Sequence, residues 1–315
     1  MNAMSQESPK LTVKEAEELL LSHWGEPAEE VSPIGNGHFS SVFSFKKEGK
    51  SFVVGIGRAE PSDEADYARS KFISNLLIAG GARYQQLFGR GTNGTYNFII
   101  REYIPGQVVA DLPDEQKVAV LPDLIRAISE MNQVPLNGNT AGYGFINRTG
   151  NGESRSWHDY IRRFYAEEQR GSFWENWHEL FRTSCLERDV FEEIYNRLLV
   201  YSAYNEPHRY FVHNDCHQWN ILSDGTKVTG IIDANAMYGD FVIDIASIAD
   251  AVPGHDIPEA FRLHYEEIGK PIPQFHERYT GARYYKGLDA LRFYAHQGWT
   301  HAYVEERDRL LALPS

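Results

Sequence analysis

His213-Asn214-Asp215-Cys216-His217-Gln218-Trp219-Asn220, followed by Ile221-Leu222 and then by Gly230-Ile231-Ile232-Asp233, is the stretch on which the reading of this chain turns. Residues 210–213 and 227–233 are short β-branched and aromatic runs that read as strands, and they flank a loop crowded with polar groups. Asp215 in that loop can accept a proton from an attacking hydroxyl. Asn220 and Asp233 are hard oxygen donors of the kind magnesium takes. A base and two such ligands suit phosphoryl transfer, whose loose transition state is stabilised mainly by positioning and charge neutralisation. The spacing His213-x-Asp215-x-His217 could also serve a hydrolase as a zinc cluster, but a hydrolase has no need of Asn220 or Asp233 at these positions.

Working outward, apolar positions at helical spacing predict a first amphipathic helix over 13–22. Three strand-like runs follow at 31–35, 40–45 and 51–56, with turns at Gly35/Gly37 and Glu48-Gly49, an antiparallel meander. A helix is expected from Pro61 to about Ala79 and a further strand over 95–103, closed by Pro105-Gly106. Beyond that point the pattern turns helical, with helices predicted over 114–131, 157–169, 186–204, 258–268, 274–297 and 302–311. The shift divides the chain into an α+β lobe over 1–104 and a larger, mostly helical lobe over 105–315, and clefts form at such junctions.

His-x-Asp followed five residues later by Asn, and then a strand ending in Ile-Asp, resembles the catalytic core of the aminoglycoside phosphotransferase and choline kinase family. The resemblance implies a two-lobed, protein-kinase-like α+β fold, with Asp215 as catalytic base and Asn220 and Asp233 as ligands of Mg2+. It makes His213 and His217 loop-shaping residues. Gly239-Asp240 and Asp244-Ile245-Ala246 resemble the family's run after the metal aspartate, where the second carboxylate braces the catalytic loop. Ser44-Phe45, Ala141-Gly142-Tyr143-Gly144-Phe145 with Trp157 downstream, Ala236-Met237-Tyr238 and Gly287-Leu288-Asp289 fall in the order seen in the family's hygromycin B branch. The implied activity is transfer of the γ-phosphate of ATP or GTP to a hydroxyl of an aminoglycoside or aminocyclitol such as hygromycin B. A metabolite such as choline, another amino alcohol or a sugar is the alternative acceptor.

Gly35-Asn36-Gly37-His38-Phe39-Ser40 lacks the third glycine and the following helix of a dinucleotide fingerprint. Beside Asp215 and Asp233 it reads instead as a nucleotide-covering turn, with Gly35, Gly37 and Ser40 letting backbone amides approach phosphates. Glu102-Tyr103-Ile104 lies at the lobe junction, where the family binds adenine through backbone groups, so Glu102 and Ile104 are assigned there by resemblance alone. Gly49-Lys50-Ser51 imitates the end of a P-loop, but Ser44 stands where its first glycine should be.

Two positions depart from the family pattern. The family grips the phosphates with Lys or Arg on the third strand, paired to an acid on the next helix, and here that position is Gly55 in Phe52-Val53-Val54-Gly55-Ile56-Gly57-Arg58. Arg58 is the candidate substitute, with Glu64 or Asp66 as its partner. After Asp233, Ala234-Asn235 replaces the usual aromatic residue. These departures leave open a kinase fold that binds a ligand or partner without catalysis.

Composition narrows the rest. The 315 residues are 42% hydrophobic and 24% charged, too apolar for a disordered chain. With 31 basic against 44 acidic residues the net charge is −13, which repels nucleic acid and attracts a cationic small molecule, although such an excess also simply aids solubility. Cys185 and Cys216 are the only cysteines, which excludes a disulfide framework and fits a reducing cytoplasm. No apolar run reaches the ~18 residues of a membrane span and MNAMSQESPK lacks the apolar core of a signal peptide, so a cytoplasmic protein without membrane partners is expected. The acidic residues Glu153, Asp159, Glu167 and Glu168 read as solvated helix faces, and Phe173, Trp174, Trp177 and Phe181 as packing.

Overall fold

Residues 9–36, 40–60, 62–136, 138 and 140–315 are described in this computed structural model. Helix α1 (Val13–Trp24) starts at a capping box, Thr12 accepting from the Glu15 amide while the Glu15 carboxylate takes the Thr12 amide, and ends at Gly25 in the left-handed region. Next come β1 (Glu29–Asn36), β2 (Ser41–Lys47) and β3 (Lys50–Arg58), then α2 (Asp63–Ala79), β4 (Leu87–Thr92) and β5 (Tyr96–Glu102). The strands form one antiparallel sheet in the order β1-β2-β3-β5-β4. Glu48 and Gly49 turn β2 into β3 with φ of 51° and 73°, the paired left-handed conformation of a tight hairpin. Phe43, Phe45, Val54, Ile56, Phe98 and Ile100 bury one face of the sheet against Ala16, Leu19 and Leu20 of α1. Because side chains alternate, Val53, Gly55, Ile99 and Arg101 belong to the other face.

The second and larger core takes in everything that follows, together with Ile73, Leu76 and Leu77 of α2. It contains β6 (Gln107–Val108), α3 (Asp114–Asn132), β7 (Tyr143–Ile146), β8 (Gly152–Ser154), α4 (Trp157–Phe164), α5 (Leu180–Thr183) and α6 (Arg188–Asn205). Strands β9 (Tyr210–Val212), β10 (Ile221–Ser223), β11 (Val228–Ile231) and β12 (Met237–Gly239) come next, and then α7 (Val242–Ile248), α8 (Ile257–Glu267), α9 (Phe275–Gln297) and α10 (Thr300–Leu311). Two small sheets, β11-β10-β6 and β8-β7-β12-β9, hold the loops that lead into and out of the polar segment. The α+β class and the sequence of an antiparallel sheet followed by a helical region are as expected.

Beyond the short elements β6, β7, β8, β10, β12 and α5, which are not expected from the sequence, three further differences have a physical reason. Helix α4 stops at Phe164 instead of 169, because the Phe164 carbonyl accepts from Arg292 (3.0 Å) and Gln169 (2.7 Å), and the Ala166 carbonyl accepts from the Trp177 indole (2.9 Å). Arg292 is fully buried there among Phe164, Tyr165, Trp174 and Trp177, so this aromatic cluster packs around a guanidinium. Strand β4 is unforeseen, its Leu-Phe-Gly-Arg-Gly-Thr showing no apolar alternation. Helix α7 is unforeseen too, being short and buried nearly all round, which erases helical periodicity. Among the described residues no helix is long and apolar enough to cross a membrane.

Candidate active site

Strand β9 carries the chain into the polar loop, and buried groups fix the loop's path. His213 is fully buried, with Nε2 2.9 Å from the Ile232 carbonyl oxygen and Nδ1 accepting from the Asp215 amide at 3.3 Å. The ring is therefore neutral with its proton on Nε2, and burial pushes its pKa down to about 4. Asp244, from α7, accepts from the amides of His213 and Asn214, both at 2.8 Å, and from Asn132 Nδ2 at 2.7 Å. Burial pushes this carboxyl up to about 6 against the pull of those three donors. Asn214 takes a left-handed backbone (φ 63°), and its carbonyl accepts from Lys286 Nζ of α9 at 2.6 Å. Cys216 is wholly buried with its thiol pushed well up by desolvation, so it fills space and does not react.

So anchored, the loop presents the Asp215 carboxylate half-exposed. Oδ2 accepts from Asn220 Nδ2 at 3.0 Å and Oδ1 lies 3.4 Å from His217 Nε2. Burial opposes its charge, but the His217 hydrogen bond and the positive charge of Lys286 outweigh burial and hold the carboxyl below its usual range. It is a weak base, ionised and oriented, which suits a reaction in which the hydroxyl proton leaves late.

Asn220 and Asp233 stand side by side at the ends of paired strands. Ile221 is in register with Ile231, and the Ile232 amide donates to the Asn220 carbonyl at 2.9 Å. Asp233 takes a left-handed φ of 64°, which turns the chain sharply as it leaves β11. Asn220 Nδ2 is held by the Asp215 carbonyl (2.9 Å) and carboxylate, which leaves its Oδ1 for a ligand. Among the described residues the Asp233 carboxylate accepts no hydrogen bond. One amide oxygen and one unpartnered carboxylate form a hard-oxygen donor set that fits Mg2+, which keeps several waters and takes few protein ligands.

The remaining predicted residues divide. His217 touches the Asp215 carboxylate, whereas Asp240 does not reach the loop: it is buried in a bidentate pair with Arg278 (2.8 and 2.6 Å) and accepts from Asn205 (2.8 Å), tying the start of α7 to α6 and α9. Gly35 is exposed at the end of β1, Gly37 lies outside the described residues, and the Ser40 hydroxyl is 3.8 Å from where a Cβ of Gly55 would stand. The Glu102 amide donates to the Gln86 carbonyl at 2.8 Å, and the Ile104 side chain packs against Gly230, where a Cβ would come within 2.5 Å of it. Arg58 needs correction. It sits exposed at the end of β3 on the sheet face opposite to Gly55, while Glu64 and Asp66 pair with Arg90 (3.4 Å) and Arg69 (3.9 Å). The sequence reading missed Asn132, Lys286, Tyr84 and Arg101, none of which lies near the motif in sequence. Tyr84 is the group behind Asp233, its hydroxyl accepting from the Ala234 amide at 3.1 Å.

A curated relative, the hygromycin-B 4-O-kinase of Escherichia coli, is 21% identical over 242 residues, which are 76% of this chain and 67% of the relative. Among solved structures, aminoglycoside phosphotransferase APH(4)-Ia superposes with a TM-score of 0.78 at 19% identity, covering 96% of this chain and 98% of that one. A thermostable APH(4)-Ia mutant in ternary complex with AMP-PNP and hygromycin B gives 0.76 at 18% identity, over 94% and 97% of the two chains. A putative fructosamine-3-kinase from Haemophilus somnus 129PT gives 0.61 at 15% identity, over 94% and 96%. Residues 30–305 match the Phosphotransferase enzyme family (APH), and with nearly the whole length so matched, this chain belongs to that family.

Proposed function

We propose that this protein transfers the γ-phosphate of ATP to a hydroxyl of a small polar acceptor, with an aminoglycoside or aminocyclitol as the acceptor class. The observation that carries the reading is the half-exposed Asp215 carboxylate, oriented by His217 and Asn220 and kept ionised by His217 and Lys286, with Asn220 and Asp233 adjacent at the ends of β10 and β11. In this reading Asp215 orients the acceptor hydroxyl and takes its proton. Asn220 Oδ1 and Asp233 hold Mg2+, which when bound neutralises charge on the phosphates. Lys286 and Asp244 hold the loop backbone in place through the Asn214 carbonyl and amide.

The residues to 104 carry the nucleotide and those from 105 onward the acceptor, with Gly35, Gly37 and Ser40 over the phosphates and the backbone at Glu102 and Ile104 beside the base. The acceptor class is supported by the hygromycin-B kinase relative and by a net charge of −13, which attracts a polycationic substrate. The presence of ATP in the cytoplasm makes that compartment the proposed place of action. The test is phosphorus NMR of a reaction with Mg·ATP and hygromycin B, other aminoglycosides, choline and simple sugars. A new phosphomonoester resonance with an aminoglycoside supports the reading, a resonance only with a sugar or choline replaces the acceptor class, and none at all removes the transfer activity.

A further inference from the structure

The cation expected on the third strand is absent, since Gly55 stands there. We propose that Arg101 of β5 supplies it from the neighbouring strand, gripping the nucleotide phosphates across the space that Gly55 leaves open. Strands β3 and β5 pair without a bulge from Phe52↔Glu102 to Arg58↔Tyr96, with Val53 opposite Arg101 and Gly55 opposite Ile99. Gly55 and Arg101 therefore share a sheet face, the one turned away from α1. The Arg101 side chain crosses that face diagonally, its Nη1 standing 3.0 Å from where a Cβ on residue 55 would lie. A Cβ at 55 would crowd the Arg101 guanidinium by a few tenths of an ångström, and a longer side chain there would compete with it for the same space, so the missing lysine and the arginine that occupies its place are read as one arrangement.

The charge also has the right neighbours. Ser40, at the end of the glycine turn, is beside the same point, at 3.8 Å. The Tyr84 phenol, whose oxygen holds the amide of the residue after Asp233, is within electrostatic reach of both Arg101 and Asp233. Arg101 thus stands beside Ser40 on the sheet face that Gly55 leaves open, and that is where the proposal puts the phosphates of a nucleotide. Arg101 is half-buried, and among the described residues it makes no hydrogen bond or ion pair, whereas Arg83, Arg278 and Arg292 are all held by carboxylates. A guanidinium without a protein partner is free to take a ligand, and a di- or triphosphate offers the paired oxygens that its planar fork binds.

The inference rests on the phosphotransferase reading of the same site, and the test separates the two. Calorimetric titration with Mg·ATP and with adenosine is made on the wild type, Arg101→Met, Arg101→Lys and Gly55→Lys/Arg101→Met. The expected result is adenosine affinity as in the wild type throughout, with Mg·ATP affinity lost by tenfold or more and kcat/KM falling about 100-fold in Arg101→Met, the size seen when a preorganised charge-stabilising donor is removed. Arg101→Lys should keep part of both, and the double variant, with its cation returned to the third strand, should recover Mg·ATP binding. Wild-type Mg·ATP affinity in Arg101→Met overturns the assignment and leaves the phosphotransferase reading standing, whereas a wild type that does not bind Mg·ATP overturns both. If Arg101→Met loses adenosine as well, the double variant decides: recovered Mg·ATP binding supports the assignment and continued failure overturns it.

Discussion

Replacing Asp244 by Asn should separate the scaffold of the loop from its chemistry. The carboxylate is wholly buried, its Oδ2 accepting from the His213 amide and Asn132 Nδ2 and its Oδ1 from the Asn214 amide. An asparagine can keep only one of those oxygens. The better orientation retains the two contacts of Oδ2 and turns an NH2 toward the Asn214 amide, donor against donor. Losing one charge-assisted hydrogen bond costs about 1.5–3 kcal/mol and orphaning the buried amide about 1–3 more, while removing a buried charge relieves part of this, so about 3 kcal/mol is expected. At about 2 °C per kcal/mol for a chain of this size, the melting temperature should fall by about 6 °C. Asn214 is the residue before the base and sits in a left-handed conformation, so freeing its amide shifts Asp215. A displacement of about 1 Å at a reacting group lowers turnover about 100-fold. Thermal unfolding and hydrogen exchange at the Asn214 amide read the two effects, with turnover measured on the acceptor found by NMR. A variant with wild-type melting and unchanged protection at Asn214 would refute the brace.

Other perturbations test other parts of the site. An unfolded imidazole titrates near 6.5 but folded His213 near 4, so its contribution is full above pH 6.5 and is lost as pH falls toward 4; the stability advantage of wild type over His213→Asn should shrink by about 3 kcal/mol between pH 7 and 4, and a constant gap would contradict it. Asp244 runs the other way, its share being full below 3.8 and lost as pH rises through about 6, which is why the comparison uses the His213 variant and not the wild type alone. Asp233→Asn should raise the magnesium concentration needed for half-maximal ATP binding about tenfold, in line with weakened ligation, and an unmoved midpoint would take Asp233 out of the metal site. Arg278→Met strands the buried Asp240 carboxylate and should cost about 3–5 kcal/mol, with Arg278→Met/Asp240→Leu recovering part; no difference between single and double variants would mean the pair is not coupled.

What the sequence made legible was local. Asp215, Asn220 and Asp233 stand out because one loop and two short strands hold them within a single run, and the strand-turn-strand around Glu48-Gly49 announces itself by its residue types. The meander and the long helices followed from periodicity. Groups that complete the site arrive from elsewhere in the chain: Asn132 ends α3, Lys286 lies midway along α9, and Tyr84 follows α2, and no spacing rule connects them to the loop. Arg58 attracted the role of phosphate cation because it is the arginine nearest to Gly55 in sequence, yet alternation along an unbroken strand sends it to the other face. Arg101 is distant in sequence and adjacent in register, and only the pairing of β3 with β5 reveals it. Strand β4 and helix α7 were hidden for opposite reasons, one having too little apolar pattern and the other being buried on every side.

The most direct test of the phosphotransfer assignment is ADP release from Mg·ATP by the purified protein, with and without hygromycin B, in the wild type and in Asp215→Asn. The account predicts release that depends on the aminoglycoside in the wild type and its abolition in Asp215→Asn, with Mg·ATP still bound by the variant. Acceptor-dependent release that persists at the wild-type rate in Asp215→Asn would contradict it.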